Sequence, residues 1–401
     1  MYDVRKINDD VYYIGCSDRR LDLFESAYPV PMGISYNSFL IKDNKTALFD
    51  TVDKACSQRF FENLEAGLDG SELDYLVIHH MEPDHCALIE DVISVYPDVK
   101  IVCTSKTVDM LKQFFDFDVS AHTMVVKDGD TLSTGRHEFV FYTAPMVHWP
   151  EVMVSYDKTD KVLYSADAFG SFGAINGNLF DDGVNFECEY FEEARRYYTN
   201  IVGKYGVQTQ MLLKKVSSLE IKGIYPLHGL LIRENIDKFI NKYDTWSKYE
   251  PETNSVLIAY SSVYGGTENA ADILAGKLAD KGIKNIKVYD VSRTHYSWIL
   301  SDVFKYSHIV FATTTYNMGI FESMENLLHA LIAHNMQNKK VVIIQNGSWA
   351  PACGGKMKTM LEGLKGVEVI DESLCVTSTL KEEQLSELDI IADKISESIG
   401  V

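Results

Sequence analysis

The stretch His79-His80-Met81-Glu82-Pro83-Asp84-His85-Cys86 gathers five imidazole or carboxylate side chains, His79, His80, Glu82, Asp84 and His85, within seven residues. Such groups bind divalent metals. Alternate side chains of an extended segment point the same way, so His80, Glu82 and Asp84 are expected on one face, with His85 at the start of the next helix. His79 is expected to face the other way and is left out of the ligand set. Farther along, single candidates stand where apolar runs end: His148 after Ala144-Pro-Met-Val, Asp167 after Tyr164-Ser-Ala, and His228 after Tyr225-Pro-Leu. Layered α/β folds place their sites where strands open into loops. Any one of these three alone reads as a local hydrogen-bonding group, but their coincidence with the cluster points to a metal centre.

A second kind of chemistry follows the apolar run Val256 to Tyr260. Ser261-Ser262-Val263-Tyr264-Gly265-Gly266-Thr267 is a small, hydroxyl-rich turn leading into a helix from Glu268. Its backbone N–H groups suit a phosphate at a helix N-terminus. No Gly-Lys-Ser/Thr follows, so this is not a Walker loop. It suits a held monophosphate better than a phosphoryl group to be transferred.

The elements that must position these residues fall into two styles. Up to about residue 250, β-rich runs dominate: Tyr12–Gly15, Ile34–Ile41, Thr46–Asp50, Leu73–His80, Lys100–Thr104, Glu138–Thr143, Val152–Tyr156 and Val162–Ala166 are predicted strands. Cys86–Tyr96, Tyr190–Lys204, Thr209–Leu219 and Ile232–Trp246 carry helical spacing. Beyond the polar stretch around Pro251, five short apolar runs starting at Ser255, Ile286, His308, Lys340 and Val367 alternate with helices, the signature of a doubly wound parallel sheet. Two domains are expected, 1–250 and 251–401. Helix Glu382–Ser398 is the last element expected before Val401.

Lys plus Arg number 38 against 58 Asp plus Glu, a net charge of −20 that disfavours nucleic acid and anionic lipid as partners. No apolar run approaches the roughly 20 residues that span a bilayer, and the N-terminus lacks the apolar core of a signal peptide. The seven cysteines are scattered without a C-x-x-C pair. Most of them read as small core residues of a protein from a reducing, cytoplasmic compartment, not as ligands of a cluster.

The order His80-x-Glu82-x-Asp84-His85, His148, Asp167, His228, with 62, 18 and 60 residues between successive groups, resembles the ligand pattern of the flavodiiron proteins, a branch of the metallo-β-lactamase fold. Zinc hydrolases of that fold show His-x-His-x-Asp-His. Glu82 replaces the second His, and four imidazoles with three carboxylates suit iron better than zinc. By this resemblance one iron takes His80, Glu82 and His148, the other Asp84, His85 and His228, and Asp167 bridges them. Family members differ in whether the residue at His85 reaches the metal.

The pattern Ser261-x-x-Tyr264-Gly265-x-Thr267 likewise resembles the phosphate loop of flavodoxins, which bind FMN. Two further loops occur where such a domain needs them, Thr313-Thr314-Thr315-Tyr316-Asn317 and Asn346-Gly347-Ser348-Trp349. Tyr316 and Trp349 there would stack on the isoalloxazine ring while neighbouring amides meet its edge.

The resemblance implies an αββα sandwich followed by a flavodoxin-like five-stranded parallel sheet, without an appended rubredoxin module. It further implies FMN and two non-haem irons per chain, O2 or NO as substrate, a rubredoxin-like electron donor, and a head-to-tail homodimer able to pair into a tetramer. Two other readings use the same residues: a zinc hydrolase fused to flavodoxin, and a flavin electron carrier with the metal domain as scaffold.

Overall fold

The computed structural model describes residues 2–370 and 373–401. They form two compact units, the first ending at Asp244 and the second beginning at Thr245.

In the first unit, two sheets face each other. One has seven strands in the order Arg5–Lys6, Val11–Tyr13, Phe39–Lys42, Thr46–Phe49, Tyr75–Val77, Lys100–Cys103 and Thr123–Val125; the other runs Thr131–Ser133, Glu138–Thr143, Met153–Asp157, Val162–Tyr164 and Gly223–Tyr225. Aromatic rings join the sheets. Phe49 lies 4.9 Å from Phe139 and 4.6 Å from Tyr164, edge to face, and Phe39 stacks on Tyr225 at 5.4 Å. Such pairs add about 0.5–1.5 kcal/mol each beyond their burial. This is the sandwich that the sequence resemblance implies.

Several predicted elements are interrupted, each for a local reason. The run Ile34–Ile41 is two strands, Ile34–Tyr36 and Phe39–Lys42, in different sheets. At the break the Asn37 amide donates to Pro226 O and Gly229 O, and Ser38 Oγ to Asp50 O. Leu73–His80 is a strand only over Tyr75–Val77, because His79 N turns away to donate to Asp50 Oδ1. Cys86–Tyr96 is preceded by a short helix, Pro83–Cys86, and continues as Ile89–Val95. Tyr190–Lys204 is helical over Phe191–Tyr197 and then widens into a π turn, Tyr198–Val202. There Thr199 Oγ1 and Asn200 Nδ2 both donate to Arg196 O, competing with the helical ladder. Ile232–Trp246 becomes Ile236–Ser247, since Asp181 takes the N–H groups of Arg233, Glu234 and Asn235 just upstream.

The second unit is a parallel sheet in the order Lys287–Asp290, Thr253–Tyr260, Tyr306–Tyr316, Lys339–Asn346 and Val367–Val369, with helices on its faces. Leu374–Val376, which the sequence pattern did not reveal, adds in parallel to Lys339–Asn346 beyond Val367–Val369, so two short strands share the fifth position. Val256, Ile258, Val310, Ala312, Val342 and Ile344 pack beneath the helices Gly266–Asp280 and Leu385–Ile399. Among the described residues no helix is long and apolar enough to cross a membrane.

Candidate functional site

After the strand Tyr75–Val77 the chain runs through a short loop to Glu82, whose φ and ψ are −67° and 141°, and Pro83 then begins the helix that holds Asp84 and His85. The strand alternation expected of His80, Glu82 and Asp84 is therefore not what groups them, since the strand ends at Val77. The turn sorts the cluster into two groups. His80, Glu82, His148 and Asp167 offer ligand atoms within 4.8 Å of one another, and so do Asp84, His85 and His228.

Asp167 connects them. Its Oδ2 lies 3.2 Å from His80 Nε2 and 3.1 Å from His148 Nε2, and its Oδ1 lies 3.5 Å from both His85 Nε2 and His228 Nε2. Glu82 Oε2 stands 3.0 Å from His148 Nε2, and Asp84 Oδ2 stands 3.2 Å from His228 Nε2. All seven side chains are buried. His79 faces elsewhere, between Asp50 Oδ2 at 2.5 Å and Ser155 Oγ at 2.8 Å.

This arrangement fits a pair of cations. His228 Nδ1 lies 2.7 Å from the carbonyl of Ser35, which can only accept, so Nδ1 donates and Nε2 presents a lone pair. His80 Nδ1 meets Glu151 Oε1 at 2.7 Å in the same way. Nε2 of His85 and of His228 approach to 2.9 Å, and both oxygens of Asp84 and of Asp167 are buried without a hydrogen-bond partner. Lone pairs converging in a buried pocket need a positive charge between them. Four imidazoles and three carboxylates form an oxygen-rich donor set, of the kind that iron takes.

Glu151, the Ser35 carbonyl, Glu25 and Tyr197 escaped the sequence reading. Glu151 also accepts from Met81 N at 2.8 Å, so one carboxylate fixes both the His80 ring and the backbone beside it. Glu25 sits on left-handed backbone, φ 50°, against Glu82; partial burial and the Glu82 charge push its carboxyl up to about 8. The Tyr197 ring packs 5.4 Å from that of His228. Nothing local in sequence marks these residues, because each acts through a partner distant in the chain.

In the second unit the three loops expected to bind a cofactor leave the carboxyl ends of three adjacent strands, Thr253–Tyr260, Tyr306–Tyr316 and Lys339–Asn346, the usual ligand position in such sheets. Gly265, with φ 89°, turns the first loop into the helix Gly266–Asp280, whose first-turn N–H groups face the loop. Gly265 N donates to Ser262 Oγ at 3.0 Å. Ser261 Oγ bonds Thr313 Oγ1 at 2.6 Å inside the unit, and Asn346 Nδ2 donates to Thr267 Oγ1 at 3.3 Å. Those four side chains tie the loops to each other. Thr314 Oγ1 donates to Asn346 O, and Thr315 Oγ1 accepts from Ala352 N and Cys353 N. Asn317 turns its loop at φ 49°, Gly347 packs against Pro351, and Ser348 Oγ accepts from Ser378. Val263, Tyr264, Tyr316 and Trp349 stand exposed, Tyr264 at 99% and Trp349 at 80%, where a planar ring system can stack on the aromatics.

Comparison with known proteins agrees with both halves. Residues 34–229 match the ODP family beta lactamase and residues 258–388 match flavodoxin. The chain is 29% identical over 364 residues to the anaerobic nitric oxide reductase flavorubredoxin of Escherichia coli, covering 89% of this chain and 74% of that protein. An uncharacterised protein of Methanocaldococcus jannaschii is also 29% identical, over 95% of each chain. Among solved structures, the rubredoxin oxygen:oxidoreductase of Desulfovibrio gigas superimposes with a TM-score of 0.92 at 28% identity, over 99% of this chain and 98% of that one. The flavodiiron protein of Giardia intestinalis gives a TM-score of 0.93 over 99% and 97% of the two chains, and at 23% identity it supports the fold.

Proposed function

We propose that this chain is a flavodiiron protein that reduces O2 to water, NO to nitrous oxide, or both, with electrons from a rubredoxin-like donor, a reading supported by the match of its two halves and by its similarity to the proteins above. Its cofactors are FMN and two non-haem iron ions. In this reading His80, Glu82 and His148 would hold one iron and Asp84, His85 and His228 the other, with Asp167 available to both. Residues 261–267 hold the flavin phosphate, while residues 313–317 and 346–349 flank its ring. When bound, the iron pair supplies two electrons together to one diatomic molecule, and the flavin feeds electrons to the site.

The residues do the positioning. Glu151 and the Ser35 carbonyl fix the tautomers of His80 and His228, so that their Nε2 lone pairs stay directed into the pocket. Despite burial, the neighbouring imidazoles hold Asp167 and Glu82 well below the usual carboxylate range, keeping both ionised. The observation that carries the reading is Asp167, whose two oxygens face opposite halves of one buried donor set. A head-to-tail homodimer completes the proposal, and light scattering tests it.

Anaerobically purified protein is expected to hold iron and FMN in a two-to-one ratio, and to consume O2 or NO in steady-state assays with a reduced rubredoxin. Stoichiometric zinc in place of iron would favour a hydrolase, and loaded protein that turns over neither gas would refute the proposal.

A further inference from the structure

Away from the metal centre, the first unit carries a cleft of about 640 Å³. Four guanidinium groups line it: Arg5 from the strand Arg5–Lys6, Arg19 and Arg20 just after the strand Cys16–Asp18, and Arg59 from the first turn of the helix Ser57–Leu68. In a chain of net charge −20, a cation rarely lacks a carboxylate neighbour. Outside the cleft, Arg136, Arg195, Arg196, Arg233 and Arg293 each form an ion pair with an Asp or Glu. Within it, Arg20 Nε stays 3.8 Å from Asp18, and Arg5, Arg19 and Arg59 have no carboxylate partner among the described residues.

Neutral acceptors hold these three instead. Arg5 donates to Gly177 O, Arg19 Nη2 to Ile175 O at 2.8 Å and Asn176 Oδ1 at 2.9 Å, and Arg59 Nη2 to Cys56 Sγ at 3.3 Å. A guanidinium has five N–H donors, so each is fixed in place with donors to spare and its charge unneutralised. Asp3 and Asp18 also line the cleft, but Asp18 is buried and accepts from Arg20 N at 2.9 Å. Four cations against two carboxylates leave the lining positive. The helix Ser57–Leu68 starts there with no side chain capping it, and its positive end adds to the field.

Size narrows the class of ligand. The volume falls in the range that accepts small molecules, more than a lone phosphate fills. Ile175, Leu179 and the Tyr13 ring give the wall an apolar part for a carbon skeleton.

We propose that this cleft binds a small organic polyanion, a molecule carrying two or more phosphate or carboxylate groups, at a site that shares no residue with the metal pocket or the flavin loops. Arg5 and Arg19, both tied to residues 175–177, grip one anionic group, and Arg59 with the helix start grips another. Guanidinium forks match the paired oxygens of either group, and a second charged group on the same skeleton binds without a second loss of translational freedom.

The test is calorimetric titration of FMN-saturated holoenzyme at low ionic strength with fructose 1,6-bisphosphate and with tricarballylate, against fructose 6-phosphate and acetate as single-group controls. One multivalent probe is expected to bind saturably, about tenfold or more tightly than its single-group counterpart, and the one that does assigns phosphate or carboxylate. Arg19→Ala and Arg59→Ala should each weaken that binding about tenfold. Arg293→Ala, which removes an exposed arginine of the second unit, should leave it unchanged. In the wild-type protein the bound probe should shield Arg19 and Arg59, but not Arg293, from phenylglyoxal, read by peptide mapping, a measurement that needs no variant to fold. The proposal is overturned if neither multivalent probe binds, if Arg19→Ala and Arg59→Ala bind as wild type does, or if the single-group controls bind equally well.

Discussion

Asp167 shows how one side chain sets a site's nuclearity. Each of its oxygens serves a different pair of imidazoles, so Asp167→Ala is expected to remove both metals while FMN remains, read by metal analysis beside flavin absorbance. Glu151 is not one of the candidate ligands yet holds the Nδ1 of one of them, His80. Glu151→Ala is expected to weaken metal binding by about 10–100-fold, the usual cost of losing such a support, measured by competition with a chelator. The seven candidate positions, which the fold brings into one buried pocket, stand out in the sequence because each is a polar type within the His-rich cluster or at the end of an apolar run. Glu151 and the Ser35 carbonyl were not, since a supporting carboxylate or carbonyl looks like any other until the fold brings it to its histidine.

Elements were legible in kind and blurred at their ends. The run Ile34–Ile41 has no Pro or Gly to announce its break; the break is made by Asn37 bonding to residues nearly two hundred positions away. Gly266 makes the reverse case, a local residue with a tertiary reason. A Cβ there would press into the carbonyl oxygen of Ser378, with Asn346 Nδ2 3.2 Å away. Overpacking of this kind costs about 1–3 kcal/mol of folding stability. Gly266→Ala should therefore lower the urea midpoint of the second unit.

The strand Tyr306–Tyr316 buries His308, and burial with Lys340 and Lys339 nearby lowers it from 6.5 to about 4. Over that interval the unfolded chain takes the proton first, so this contribution is intact above pH 6.5 and is lost as pH falls toward 4. His308→Gln should shift its urea midpoint less than wild type between pH 7 and pH 4.

At the scale of the whole chain, the change of rhythm after Pro251 already separated a β-rich half from an alternating one, because hydrophobic periodicity reports layer architecture directly. The order of strands within each sheet did not show, since it depends on long-range pairing. The candidate metal donors belong to the first unit and the candidate flavin loops to the second. A ligand stabilises the fold that binds it. Removing metal is therefore expected to lower the melting transition of the first unit and removing FMN that of the second, resolved by calorimetry on singly depleted protein; a common shift in both cases would contradict independent sites.

The donor set also has a history within synthesis. His85 and His228 meet across 143 positions, and His228 lies close to the end of the first unit. A growing chain displays the His80 to His85 cluster long before its last donor leaves the ribosome. If these residues hold the metal, its capture would come late, since the full donor set exists only when nearly the whole first unit has emerged.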